Sequence, residues 1–92
     1  MLQIRFANRM KRDVKRLKKR GKDLLKLETT LDILASQRDL PERYKDHSLK
    51  GEWQDFRECH IEPDWLLIYK IEEQELILYA TATGSHADLF EM

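Results

Sequence analysis

Three histidines, His47, His60 and His86, lie in the second half of the chain, each in a polar, turn-like setting: KDHSLKG, RECHIEPDW and TGSHADLF. Asp46, Glu58, Glu62, Asp64 and Asp88 stand within a few positions of them, as do the aromatics Trp65 and Phe90. Imidazole changes charge near neutral pH, so it both takes and gives protons there. Three imidazoles with carboxylates to tune them point to acid–base chemistry that needs no cofactor. Three His and one Asp could also bind zinc, but no His-x-His, His-Glu-x-x-His or paired-Cys spacing supports a metal. Nucleophilic hydrolysis has less behind it. Cys59 alternates to the face opposite His60, and Ser48 and Ser85 lack a nucleophile motif. There is no phosphate-binding glycine loop.

The elements that must position these residues follow from pattern. Leu2–Phe6 alternates apolar and polar residues, as a short strand does. Asn8 is a candidate helix N-cap. Met10, Val14 and Leu17 then fall on one face, with Lys11, Arg12, Lys15, Arg16, Lys18 and Lys19 over the rest. Gly21 ends this helix. Asp23 caps a second, whose apolar stripe is Leu24, Leu27, Leu31, Leu34 and Ala35. The short turn predicts an antiparallel helical hairpin. A polar connection over 37–52 leads to three strands, roughly Trp53–Ile61, Asp64–Ile71 and Glu75–Thr83, with a tight turn at Glu72, Glu73 and Gln74. The nearly continuous apolar run from Leu66 to Ile71 predicts a central strand covered on both faces. The expected fold is α+β, in the order β-α-α-β-β-β: an antiparallel sheet with a two-helix hairpin packed on one face.

That order brings the chemistry together. With Ile61, Glu62 and Pro63 as the turn, His60 and Asp64 lie opposite each other, and cross-strand Cβ atoms stand ~4.5–5.5 Å apart. Residue 64 pairs near residue 84 in the next hairpin, so His86 emerges at the same rim. Glu58 shares strand parity with His60, while Arg57 shares it with Cys59 and faces away. The loop of His47 is long enough to fold back. Each residue also has a plain structural reading: surface histidines, Trp65 and Trp53 as core, Phe90 pinning the tail.

The whole chain, 1–92, is expected to form a single domain with one modest core. No apolar run approaches the ~20 residues of a membrane span, and the N-terminal stretch is basic and not of signal-peptide type. Cys59 is the only cysteine and forms no internal disulfide. A cytoplasmic protein is the expectation. Net charge is zero, yet residues 1–26 hold eleven Lys/Arg against two acids. Such asymmetry predicts either a polyanion partner at the basic end or a solvated helix face.

The motifs His47-x-Leu-x-Gly-x-Trp53, Arg57-Glu-x-His-x-x-Pro-Asp-Trp-x-Leu-Ile-Tyr69 and Gly84-Ser-His-x-x-Leu-Phe90 resemble the YafQ branch of the RelE-like toxins. The resemblance spans almost the whole chain. It implies a bacterial type II toxin, held inactive by a cognate antitoxin in a hetero-oligomer and monomeric when free. Such toxins enter the ribosomal A site and cut mRNA. On this likeness His47, His60, Asp64 and His86 fall on active-site positions, Glu58 stands where the family often has Asp, and Trp65 and Phe90 belong to the same motifs.

The reaction then expected is metal-free: a ribose 2′-OH attacks the adjacent phosphorus, giving a 2′,3′-cyclic phosphate and a 5′-OH. His86 is the expected general acid. His60 held by Asp64, or Asp64 itself, is the expected base, with His47 and Arg57 as candidates for steadying phosphate charge, the parity of Arg57 with Cys59 standing against it. Trp65 or Phe90 is expected to stack on an mRNA base. The basic surface of Lys11, Arg12, Lys15, Arg16, Lys18, Lys19, Arg20 and Lys22 is expected to contact rRNA. A non-enzymatic toxin on the same fold, such as a topoisomerase inhibitor, is the alternative, and a zinc-dependent hydrolase the third reading.

Overall fold

The computed structural model describes residues 1–90. The elements are β1 (Gln3–Phe6), α1 (Asn8–Lys19), α2 (Leu24–Ala35), β2 (His47–Ser48), β3 (Arg57–Glu62), β4 (Trp65–Glu72), β5 (Ile77–Gly84) and α3 (His86–Phe90), with 3₁₀ turns at Glu42–Tyr44 and Gly51–Trp53. The five strands form one sheet in the order β1-β5-β4-β3-β2. Neighbours are antiparallel except β1, which runs parallel to β5 at the edge.

The helices form where the pattern places them. Met10 and Leu17 of α1 and Leu27, Leu31, Leu34 and Ala35 of α2 are buried against Trp65, Leu67, Tyr69, Leu78 and Ala80. Each such large side chain contributes roughly 1.5–3 kcal/mol when fully buried. The N-cap of α1 is Ala7 and not Asn8, and no side-chain cap bond forms there. Gly21 stops the helix at φ 79°. Its N–H donates to Lys18 O and the Lys22 N–H to Leu17 O, each at 3.1 Å, which satisfies two end carbonyls. Asp23 caps α2 by accepting the Leu25 N–H at 3.1 Å.

Strand parity divides β4 between two cores. Trp65, Leu67 and Tyr69 face the helices, while Leu66 and Ile68 meet Ala82 and Leu89 on the opposite face. Leu49, Trp53, Phe56 and Phe90 pack around that second cluster without closing over the sheet. Beyond Phe6, β1 no longer covers the outer edge of β5. The buried Asp13 of α1 takes over there, accepting the Thr83 N–H at 3.1 Å and the Arg16 guanidinium at 2.7 Å.

Two registers depart from the sequence expectation. The β3–β4 turn is Pro63–Asp64, because Ile61 and Glu62 together oppose Trp65 in a bulge. In β5, Thr81 bulges between the pairs Ile68↔Ala82 and Tyr69↔Ala80, so Gly84 lies opposite Leu66 and not residue 64. β3 begins at Arg57 and β5 at Ile77, each later than the pattern suggests. The two-residue β2 has no counterpart in that reading.

Candidate active site

β3 carries Glu58 and His60 on the sheet face opposite α1 and α2, since they pair with Ile68 and Leu66. β2 pairs His47 directly with Glu58. His86 opens α3, just past the end of β5. The three imidazoles thus form a row, with ring centroids 6.4 Å apart for His47 and His60 and 5.9 Å for His60 and His86.

The carboxylates divide between them. Glu58, only 6% exposed, sets Oε1 at 3.6 Å from His47 Nε2 and 3.5 Å from His60 Nε2. Asp64 is expected to hold His60; the structure gives it to His86. Its Oδ1 accepts the His86 backbone N–H at 2.9 Å and the ring Nδ1–H at 2.6 Å. The reason is the bulge at Ile61, which moves Asp64 from the strand end into the exposed turn. Those two bonds, the backbone one foremost, hold the Asp64 carboxyl below its usual range. His47 is fixed differently, its Nδ1–H donating to Lys45 O at 2.7 Å. In both His47 and His86 the proton on Nδ1 leaves Nε2 for other partners.

His86 is seated by a reciprocal cap. Ser85 Oγ accepts the Asp88 N–H at 3.1 Å, and Asp88 Oδ2 accepts the Ser85 N–H at 2.9 Å. Arg20 then grips Asp88 with two bonds, at 2.6 and 3.0 Å. The Arg20 guanidinium, ahead of the cap bonds, holds the Asp88 carboxyl well below the usual carboxylate range. A Cβ added at Gly84 would meet Asp88 Oδ2 at 2.8 Å, so only glycine fits beneath this carboxylate. Asp88 and Arg20 were not expected in this role, although the Ser-x-x-Asp spacing of 85–88 carries the signal.

Several expected participants sit elsewhere. Trp65 is completely buried on the helix side, its indole N–H donating to Thr83 Oγ1 at 2.9 Å. It is core and cannot stack on a base. Phe90 packs on the second cluster, one helical turn from His86. Arg57 is turned to the helix side, bonded to Asp46 at 3.3 Å and Ser48 at 2.8 Å, and Asp46 also accepts the Tyr69 hydroxyl at 2.6 Å. Arg57 therefore steadies nothing at the row of histidines. Cys59 is buried on the helix side, and that burial pushes its thiol up.

The basic surface also splits. Arg16 is bound to Asp13, Arg20 to Asp88, and Lys22 with Lys26 to Glu62 at 2.8 Å each. Lys11, Arg12, Lys15, Lys18 and Lys19 remain as exposed cations along α1. Among the described residues, no three His, Cys, Asp or Glu side chains converge as metal ligands would.

A helical pair behind a mostly antiparallel sheet, with a row of imidazoles on the open face, defines a small RelE-like α+β protein. The chain belongs to the family described as the bacterial toxin of type II toxin–antitoxin systems, YafQ, whose model matches residues 2–91. It is 42% identical over 88 residues to the mRNA interferase toxin YafQ of Escherichia coli K12, covering 95% of this chain and 94% of that one. Among solved structures it is similar to a metal-bound toxin from Helicobacter pylori, 46% identical, with 98% of this chain and 100% of that one covered and a TM-score of 0.93. It is also similar to a chain of the E. coli DinJ–YafQ complex, 40% identical, with coverage of 98% and 99% and a TM-score of 0.87.

Proposed function

We propose that this protein is an endoribonuclease toxin that cuts mRNA on the ribosome without a metal, and that a cognate antitoxin binds and silences it. The E. coli relative is an mRNA interferase and its solved counterpart is a toxin–antitoxin complex, which supports the substrate class and the partner. Such a toxin acts where translation takes place, in the cytoplasm. No helix among the described residues is long and apolar enough to cross a membrane.

The observation that carries the chemistry is the His86–Asp64 pair. With Nδ1–H committed to a carboxylate, Nε2 is the nitrogen that exchanges a proton with substrate. His86 is therefore the general acid that protonates the departing 5′ oxygen. Asp64, whose Oδ1 accepts both bonds from His86, acts as a positioning residue. The base is His60, with Glu58 behind it. It takes the 2′-OH proton as that oxygen attacks phosphorus, leaving a 2′,3′-cyclic phosphate. His47, on the other side of Glu58, is the third imidazole placed to bind the phosphate. Phe90, a turn from His86, is the aromatic placed to meet a base. One relative is metal-bound, whereas the steps assigned here to His60 and His86 use protons alone.

Primer extension on an mRNA under translation tests this reading. Wild type is expected to produce cuts only when ribosomes are present, and His86→Ala to slow single-turnover cleavage by about 10²–10⁴. Toxicity undiminished in His86→Ala would instead favour a non-enzymatic toxin on this fold.

A further inference from the structure

Phosphoryl chemistry needs positive charge beside the reacting group, and the arginine expected to supply it, Arg57, is spent on Asp46. A cleft of about 310 Å³ opens next to His60, lined by Arg43, Lys45, His60, Ile61, Glu62 and Pro63. We propose that Arg43 and Lys45 make this cleft a phosphodiester subsite, which holds the backbone of the single-stranded RNA next to the scissile bond. The proposal rests on the ribonuclease reading.

The cleft is built on a fixed turn. Tyr44 is buried and anchors the 3₁₀ segment Glu42–Tyr44. Arg43 lies across the Tyr44 ring, its guanidinium carbon 4.6 Å from the centroid. Lys45 adopts a left-handed conformation, φ 50°, with its N–H donating to Glu42 O at 2.9 Å. Its carbonyl accepts the His47 Nδ1–H. The same residue thus orients one imidazole of the row and lines the cleft beside another, His60. Among the described residues neither Arg43 nor Lys45 makes an ion pair.

Charge at the cleft favours an anion. Glu62 is the one carboxylate in its wall, and Lys22 and Lys26 both grip it at 2.8 Å. The Glu62 bond raises the Lys26 pKa, while the nearby Arg43 charge works against it. Four cations surround a single, already neutralised carboxylate. A strand of RNA whose ribose meets His60 and His86 must leave the row of histidines somewhere, and its phosphate finds unspent cations here. At about 310 Å³ the cleft is at the small end of ligand sites, which suits one phosphate with its sugar.

The test is the salt dependence of binding to a single-stranded, fully 2′-O-methylated oligoribonucleotide, which has no nucleophile and is not cut. Each phosphate contact on single-stranded RNA contributes about 0.7 to the slope of log K against log salt. Arg43→Ala/Lys45→Ala is expected to flatten that slope by about 0.7, the share of one phosphate, and the charge-keeping Arg43→Lys/Lys45→Arg to restore most of it. Thermal unfolding checks that both variants fold. A slope unchanged in a folded alanine variant overturns the subsite. So does a loss confined to antitoxin affinity, which would assign the cleft to an acidic protein segment. Wild type that neither binds this RNA nor cuts mRNA removes the ribonuclease reading itself. Wild type that cuts mRNA in a His86-dependent way while the slope stays unchanged sinks the subsite alone.

Discussion

Asp64 Oδ1 holds His86 twice, by its backbone N–H at 2.9 Å and by its ring Nδ1–H at 2.6 Å. One bond fixes where the residue sits and the other fixes how the ring is turned. Together they choose the tautomer and leave Nε2 as the working atom. The same oxygen does not reach His60, whose carboxylate partner is the buried Glu58. Acid and base thus have separate carboxylates, so each pair is open to separate perturbation.

Asp64→Asn tests the first pair. The amide oxygen still accepts an N–H, but it carries no charge to balance an imidazolium. A hydrogen bond to a charged group is worth about 1.5–3 kcal/mol. Single-turnover cleavage is therefore expected to slow by roughly 10–100-fold. A rate equal to wild type would show that the His86 ring needs no partner.

Glu58→Gln tests the second. Glu58 reaches both His47 and His60 from inside the sheet face, with its side chain 8% exposed. Glutamine keeps the shape and removes the charge, so the effect belongs to chemistry and not to packing. Cleavage is expected to fall by about tenfold or more, on the scale of one lost buried charge pair. The thermal midpoint should move by only a few degrees. A large drop in the midpoint with normal activity in the folded fraction would make Glu58 structural.

Parity and motif made much of this site legible. Alternation puts Glu58 and His60 on one face and Arg57 and Cys59 on the other, as found. The same alternation carries Trp65 with Leu67 and Tyr69 into the helix-side core, so its burial was readable too. What escaped was register. A bulge of one residue at Ile61 moved Asp64 from His60 to His86, and bulges leave no periodic trace. β2 is too short for any period, yet it is what seats His47 beside Glu58. The parallel pairing of β1 with β5 was equally silent, because alternation is the same in either direction. Asp13, read as one acid in a basic helix, closes the open edge of β5 through a contact 70 positions away.

Acid is expected to unlock α3. The folded Asp88 carboxyl lies below its unfolded value of about 4, chiefly because Arg20 binds its ionised form. That contribution is complete above about pH 4 and fades as pH falls through the folded pKa. Glu62 and Asp64 are lowered as well and act with the same sign. Asp88→Asn should therefore be less stable than wild type near neutrality and lose less stability between about pH 4 and pH 2. Urea midpoints across that range provide the measurement, and parallel curves for the two proteins would rule out the Arg20–Asp88 pair as the cause.

The basic helix separates into cations that hold the fold and cations that are free. Arg16, Arg20 and Lys22 are tied to Asp13, Asp88 and Glu62, which leaves Lys11, Arg12, Lys15, Lys18 and Lys19 to meet a polyanion. Phosphate contacts release counterions, each adding about 0.7–0.9 to the salt slope of binding. Alanine at all five of these positions should flatten the slope for ribosome association by roughly 3.5 to 4.5, with little change in thermal stability because these side chains have no partners to lose among the described residues. Arg16→Ala should do the reverse, lowering stability because the buried Asp13 loses its nearest cation, and barely touching the slope. If the five-fold variant binds ribosomes with the wild-type slope, α1 faces away from rRNA and its charge serves only to keep the helix solvated.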